Sequence, residues 1–333
     1  MKAETNDRSS YRNLIFTALL IVFVGVAFAF PGLFLSIGDF QLKKLIVPLL
    51  QIIMLGMGTT MSIKDFEGVI QQPRAVFIGV ACHFLIMPLL GYTLANTFSF
   101  PPEIAAGVVL IGCSPSGLAS NVMCFIAKAN VPLSITVTTL STLLAPFLMP
   151  ALMKLLAGQF IEISFLKMMV EIMQIVIAPV IVGLILNRIF RKSAVMLNRV
   201  MPLMSMGGII LIVAIIAAAG RDSLLTVGWT LALCVLIHNL SGFTLGYWSA
   251  RLFGMDEQSC RTIAIEVGLQ NGGLASGIAV QMGKVATVGL APALFGPIMN
   301  TNGSLLATYW SQRPVKEVAL SEPSTRPVSS QDA

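Results

Sequence analysis

The sequence predicts an all-α polytopic membrane protein with ten transmembrane helices in two inverted five-helix repeats, the fourth and ninth helices broken. Three observations carry that reading. Charged residues make up 11% of the chain and hydrophobic ones 56%, whereas a soluble domain carries roughly 25% charged residues. The apolar residues gather into ten blocks, each near the roughly 20 residues that cross a bilayer. Gly117-Leu118-Ala119-Ser120 returns 156 positions later as Gly273-Leu274-Ala275-Ser276, once in each half. The same composition excludes a soluble enzyme, a disordered chain and a disulfide scaffold.

The blocks run over 13–30, 45–62, 75–97, 104–127, 131–157, 168–187, 200–219, 224–250, 258–283 and 286–310. The first follows Arg8 and Arg12 and ends in Ala27-Phe28-Ala29, which mimics a secretory signal with its cleavage site. It is read as a retained span because the repeat needs it. Short charged gaps separate the others: Asp39 with Lys43 and Lys44, then Lys64, Asp65 and Glu67, then Arg188, Arg191 and Lys192. The stretch 313–333 is Ser-, Pro- and Glu-rich without an apolar run and reads as a disordered cytoplasmic tail. Cys82, Cys113, Cys124, Cys234 and Cys260 show no CxxC or metal-ligand spacing and read as small buried side chains.

Orientation follows from the basic residues. With loops numbered alternately, only Lys43, Lys44, Lys154, Lys167, Arg221 and Lys284 fall opposite the N-terminus. The other 15 of the 21 fall on its side, so positive-inside places both termini in the cytoplasm, in the inner membrane. The basic residues form no stripe, and no nucleic-acid partner is expected.

Repeat one spans 1–157 and repeat two 166–312. His83 and His238 lie 155 apart, and block starts pair at similar offsets: 13 with 168, 45 with 200, 75 with 224. Five is odd, so the second copy enters the membrane from the opposite side. Inverted repeats are the usual build of secondary transporters, with sites near the midplane at the repeat interface.

Both GLAS copies lie mid-span. Cys113-Ser114-Pro115-Ser116 precedes the first and Gln270-Asn271-Gly272 the second. Proline removes a backbone donor and glycine loosens the helix, so both spans should break there and leave backbone groups that only a cavity or solute can satisfy. Half-helix N-termini then suit an anion, and freed carbonyls a cation.

Glu266 alone among the 15 acids lies well inside a span. A charge at mid-membrane costs ~2.5–3.5 kcal/mol on insertion scales and needs a partner. No Lys or Arg occupies the centre of any span, which leaves a cation, a proton or hydrogen-bond donors. Ser120 and Asn121 follow the fourth-span break, and Ser134 and Thr138 share one face of the fifth span. Oxygen ligands with one carboxylate suit a hard cation such as sodium.

Gly112-Cys-Ser-Pro-Ser-Gly-Leu-Ala-Ser-Asn121, Glu266-Val-Gly-Leu-Gln-Asn271 and Gly303-Ser-Leu-Leu-Ala-Thr-Tyr-Trp310 resemble the bile acid:sodium symporter family, in its bacterial form. The resemblance implies a panel of helices 1, 2, 6 and 7 beside a core of helices 3, 4, 5, 8, 9 and 10, with the broken helices crossing in the core. It implies one sodium site at Ser120, Asn121, Ser134, Thr138 and Glu266. A second would use Glu266, Gln270 and the carbonyls of Val267 and Leu269. That site commonly takes a third-span glutamine where this chain has His83, a poorer partner for a hard cation, so one or two sodium ions per cycle stay open. Ser116, Gly117, Leu118, Asn271 and Asn300 would face the substrate. Leu118 and Met299 stand where relatives can carry threonine and histidine, which makes the implied cavity less polar.

The function expected is sodium-coupled symport of an organic anion, bile-acid-like or a smaller carboxylate of the pantoate type, by alternating access and with no cofactor. A proton-coupled transporter using Glu266 and His83 is the near alternative. An intramembrane serine hydrolase, with Ser114 or Ser116 as nucleophile and His83 or His238 as base, is the remote one; no GxSxG, HExxH or pair of mid-span aspartates supports it. The chain carries no GxxxxGK[ST] loop, which excludes an ATP-driven pump.

Overall fold

A computed structural model describes residues 18–62, 67–189, 191–313 and 315. Within them the chain is helical almost throughout. The start of the first block, with Arg8 and Arg12, and the tail beyond 315 lie outside the described residues.

Helix α1 covers Ala18–Ala29 and α2 is the turn Gly32–Leu35. Ser36–Ile37 and Phe40–Gln41 then pair antiparallel around Gly38, whose φ of 57° suits glycine. This ribbon is the one strand pair among the described residues, in a gap the all-α reading left as a loop. A 3₁₀ turn, Leu42–Leu45, runs into α3, Ile46–Thr60. After α4 (Glu67–Gln71), proline opens both α5 (Pro73–Thr97) and α6 (Pro102–Cys113), where its missing N–H costs nothing. Helix α7 is Ala119–Ile126. Helix α8, Val131–Leu152, starts at Asn130, whose Oδ1 accepts from Leu133 N at 3.1 Å, and widens into a π turn at Met153–Ala157.

In the second half, α9 (Phe165–Ile172) joins α10 (Ala178–Ile189) through a π turn, Met173–Ile177. Helix α11 is Arg191–Ala219 and α12 Arg221–Leu252. Helix α11 begins nine residues before the apolar block at 200 because backbone hydrogen bonding continues through a polar turn that hydropathy scores as a gap. Asp256 caps α13, Glu257–Gly268, through Ser259 N at 3.0 Å. Asn271 caps α14, Gly272–Gln281, through Leu274 N at 3.0 Å, and α15 is Leu290–Ser311.

Among the described residues, five stretches are long and apolar enough to cross a membrane: Leu42–Thr60, Pro73–Thr97, Val131–Ala157, Phe165–Ile189 and Arg221–Leu252. Large apolar side chains cover their outer faces, among them Phe77, Leu155, Ile181 and Trp229, the surface a lipid solvent requires. The chain is a multi-pass membrane protein. Helices α3, α10 and α11 pack together, while α12 packs on α5, α13 and α15. Between α3 and α10 the backbones nearly touch: a Cβ on Gly58 would meet the Val180 carbonyl, and one on Gly183 the Leu55 carbonyl. Small residues permit this approach, the usual device where no hydrophobic force separates helices from lipid.

Candidate functional site

The chain between α6 and α7 lies against the chain between α13 and α14. Ser116 and Gln270 form an antiparallel bridge, with Gly117 N donating to Leu269 O at 3.0 Å and Asn271 N to Pro115 O at 2.8 Å. A Cβ on Gly117 would stand 2.7 Å from the Gln270 carbonyl oxygen, so the contact needs glycine. The breaks thus satisfy part of each other's backbone. Side chains supply more: Asn239 Nδ2 donates to Gly268 O at 2.8 Å, and Asn302 Nδ2 donates to Asn239 Oδ1 at 2.8 Å. His83 lies between both breaks, with Nε2 2.8 Å from Ser114 O and Nδ1 3.0 Å from Glu266 O. Both its ring nitrogens therefore face carbonyls. His238 Nε2 faces Met87 O at 2.9 Å and its ring packs edge-on against Phe295.

Glu266 is fully buried. Ser134 Oγ donates to its Oε1 at 2.5 Å and Thr138 Oγ1 to its Oε2 at 2.8 Å. Ser134 Oγ also lies 2.8 Å from Asn121 Oδ1, and Ser120 Oγ lies 3.1 Å from Thr138 Oγ1. One hydroxyl proton cannot serve both Asn121 and Glu266. Six oxygens therefore converge with more lone pairs than protons, and among the described residues no Lys or Arg pairs with Glu266. That donor set fits a hard cation. The four side chains predicted to surround Glu266, Ser120, Asn121, Ser134 and Thr138, are all brought to it.

The second predicted cation set is arranged differently. Gln270 Nε2 donates to Val267 O at 2.7 Å, and Leu269 O already accepts from Gly117 N and from Ser116 Oγ. Gln270 Oε1 is buried without a partner, which leaves an acceptor facing no proton.

A cavity of about 530 Å³ opens beside the breaks. Gly117, Leu118, Asn271 and Asn300 line it, with Ala119, Gly272 and Gly273. Ser116 lies behind that wall, fully buried and bonded to Leu269 O at 3.2 Å. First-turn amides of a helix lack an intrahelical acceptor; Ser120, Gly272 and Leu274 N already bond Gly117 O, Gln270 O and Asn271 Oδ1, which leaves Ala119 N and Gly273 N as the donors at the starts of α7 and α14. Most of the rest of the wall is apolar, including Leu50, Ile53, Met54, Met206 and Ile209, residues that the sequence shows only as span interior; Gln270, Thr301, Ser304 and Thr308 add polar groups.

A model of the sodium bile acid symporter family matches residues 47–227, more than half of the chain. The chain belongs to that family. It is 41% identical over 317 residues to an uncharacterized sodium-dependent transporter YocS of Bacillus subtilis (strain 168), covering 95% of this chain and 97% of that one. A probable sodium/metabolite cotransporter BASS1, chloroplastic, of Arabidopsis thaliana is 34% identical over 81% of this chain and 67% of its own. The ileal sodium/bile acid cotransporter of Oryctolagus cuniculus is 33% identical over 71% and 69%. Relatives in the symporter family are named as transporters, not enzymes, and the hydrolase reading falls with that. The geometry agrees: Ser114 Oγ bonds Leu110 O at 3.0 Å in its own helix, and among the described residues neither Ser114 nor Ser116 offers its hydroxyl to a histidine.

Proposed function

We propose that this member of the family is a sodium-coupled symporter of an organic anion, working by alternating access with both termini in the cytoplasm of a bacterial cell. Ten spans would form two inverted repeats, 1–157 and 166–312. Packing supports a panel: α1 contributes Ala27 to a small cluster with Ala214 and Ala218 of α11, and α11 packs on α3. His83 and Asn239, 156 positions apart like the GLAS copies, each hold a carbonyl at a break.

The observation that carries the reading is Glu266, buried mid-span and met only by hydroxyls and an amide oxygen. Sodium at Ser120, Asn121, Ser134, Thr138 and Glu266 would neutralise that charge and fix the crossing. A second ion would draw on the unpartnered Gln270 Oε1 with Val267 and Leu269. Both ring nitrogens of His83 face carbonyls, so it would supply no ligand without turning. The anion would take the amides at Leu118–Ala119 and Gly273, with Asn271 and Asn300 beside them. Its body would lie on the apolar wall, which favours an amphipathic carboxylate over a fully hydrated one. Two sodium ions with a monoanion would carry one net charge, worth ~2.3 kcal/mol per 100 mV.

Uptake of a labelled bile acid and of a small hydroxy acid into proteoliposomes tests this. An inward sodium gradient should drive accumulation of one of them and a potassium gradient should not. Uptake driven by a pH gradient and indifferent to sodium would replace this reading with proton coupling through Glu266 and His83.

A further inference from the structure

The two repeats differ in one respect that bears on how the carrier closes. Helix α14 runs from the crossing toward Lys284, and α7 runs from it toward Lys128. Arg261 bonds Ala127 O, Trp310 O and Arg313 O, so the far end of α7 and the end of α15 share one face. The cavity lies on that face, along Val122 and Met123 of α7 and out to Thr308 of α15. On the opposite, Lys284 face a second cavity of about 530 Å³, lined by Phe34, Glu103, Ile215, Ala219, Lys284 and Thr287 among others, includes no residue of either break; between it and the breaks the seam is closed.

At its inner end a side chain fills a groove. Gly273 and Gly277 are four apart, on one side of α14. Leu50 of α3, fully buried, lies in the channel they leave. A Cβ on Gly273 would stand 3.1 Å from Leu50 Cδ2, and a Cβ on Gly277 would collide with Leu50 Cδ1. Further out, Ile216 of α11, also fully buried, meets Gly289 just before α15.

The offset of 156 that relates the GLAS copies carries Leu50 to Met206, Gly273 to Gly117 and Gly277 to Asn121. Met206 and Gly117 both line the cavity. One knob is seated in its groove; its counterpart is not among the atoms nearest a Cβ on Gly117 and lines the cavity instead.

We propose that Leu50 in the Gly273–Gly277 groove is the gate on the Lys284 face, and that Met206 against the Gly117–Asn121 side of α7 is its partner gate on the Arg313 face. Transport exchanges which knob is seated. Asn121 belongs both to the second groove and to the oxygens around Glu266, so a cation there acts on the surface that Met206 must meet. The inference rests on the alternating-access reading and adds the residues that close each side.

The test reads accessibility. Single reporter cysteines, Thr308→Cys on the cavity side and Ile216→Cys in the shut seam, are probed with a membrane-impermeant maleimide from each face, the parent protein with its five buried cysteines giving the background. Gly277→Val overfills the groove in the closed state alone. It should raise labelling of Ile216→Cys, and lower that of Thr308→Cys, by about tenfold. Leu50→Ala with Gly277→Val returns the lost volume and should restore the parent pattern. Leu50→Ala alone should loosen the seam and raise Ile216→Cys labelling, which keeps the test decisive if Gly277→Val does not fold. Parent-like labelling in Gly277→Val, or in Leu50→Ala should the first be unfolded, overturns the gate. Failure of the parent to show sodium-driven uptake would instead overturn the transport reading.

Discussion

Arg261 gives the sharpest stability prediction. Its side chain is 5% exposed. Nε pairs with Glu257 Oε1 at 2.9 Å, Nη1 reaches Ala127 O at 3.2 Å and Trp310 O at 3.1 Å, and Nη2 reaches Arg313 O at 2.9 Å. The guanidinium also lies 5.7 Å from the Trp310 ring. One cation thus closes the C-terminal ends of α7 and α15, where helix dipoles favour positive charge, and ties both to α13. Truncation to Ala leaves three carbonyls and a carboxylate to find other partners. Tyr247 Oη, which donates to Glu257 Oε2 at 2.7 Å, offsets part of that. Breaking a buried, hydrogen-bonded charge pair costs ~3–5 kcal/mol, so Arg261→Ala should lower the thermal midpoint in detergent by several degrees. Arg261→Lys should recover little, because an ammonium cannot span the same fork of acceptors. A midpoint within a degree of wild type in both variants would refute the argument that this residue joins the three helices.

Other outcomes follow from the same contacts. Asn130→Ala removes the cap of α8 and should cost ~1 kcal/mol, read as a lower midpoint. His83→Leu removes the ring N–H that a buried carbonyl accepts from and should destabilise by ~1–3 kcal/mol, while His83→Gln, which keeps an N–H donor, should lose less. At the Lys284 face, the Lys284 ammonium and the Thr287 hydroxyl hold the Glu103 carboxyl below its ordinary pKa. Its contribution is therefore present above the ordinary carboxylate range and lost as pH falls through the lowered value. The pair is over a third exposed, so the effect is under ~1 kcal/mol; Glu103→Gln should flatten that part of the acid limb of midpoint against pH and leave neutral stability nearly unchanged.

Much of the site was legible because bilayers penalise polarity. Glu266 stood out as the acid with no reason to be mid-span, and Ser134 and Thr138 as hydroxyls one turn apart on one face; the structure brings all three together. The breaks were legible from Pro115 and the paired glycines, since neither span can continue its hydrogen bonds there. Arg261 was read as a loop charge at the edge of an apolar block, because hydropathy cannot see that three carbonyls from distant helix ends converge on it. The task of Asn239, holding the Gly268 carbonyl, depends on the packing of α12 on α13, which no residue pattern displays. The cavity wall of Leu50, Met54 and Met206 carries no signal at all, since a leucine facing a cavity and one facing lipid are the same letter.

The central claim is that Glu266 and its oxygens hold sodium, and one titration tests it without a choice of substrate. Sodium is added to purified protein in detergent while thermal unfolding is followed, with potassium as control and Glu266→Ala beside wild type. A ligand bound only by the folded state stabilises it by RT ln(1 + [L]/Kd), ~2.7 kcal/mol at a hundredfold excess over Kd. The account predicts a midpoint that rises with sodium alone in wild type and is flat in Glu266→Ala. Equal responses to sodium and potassium, or a sodium response that survives in Glu266→Ala, would contradict it.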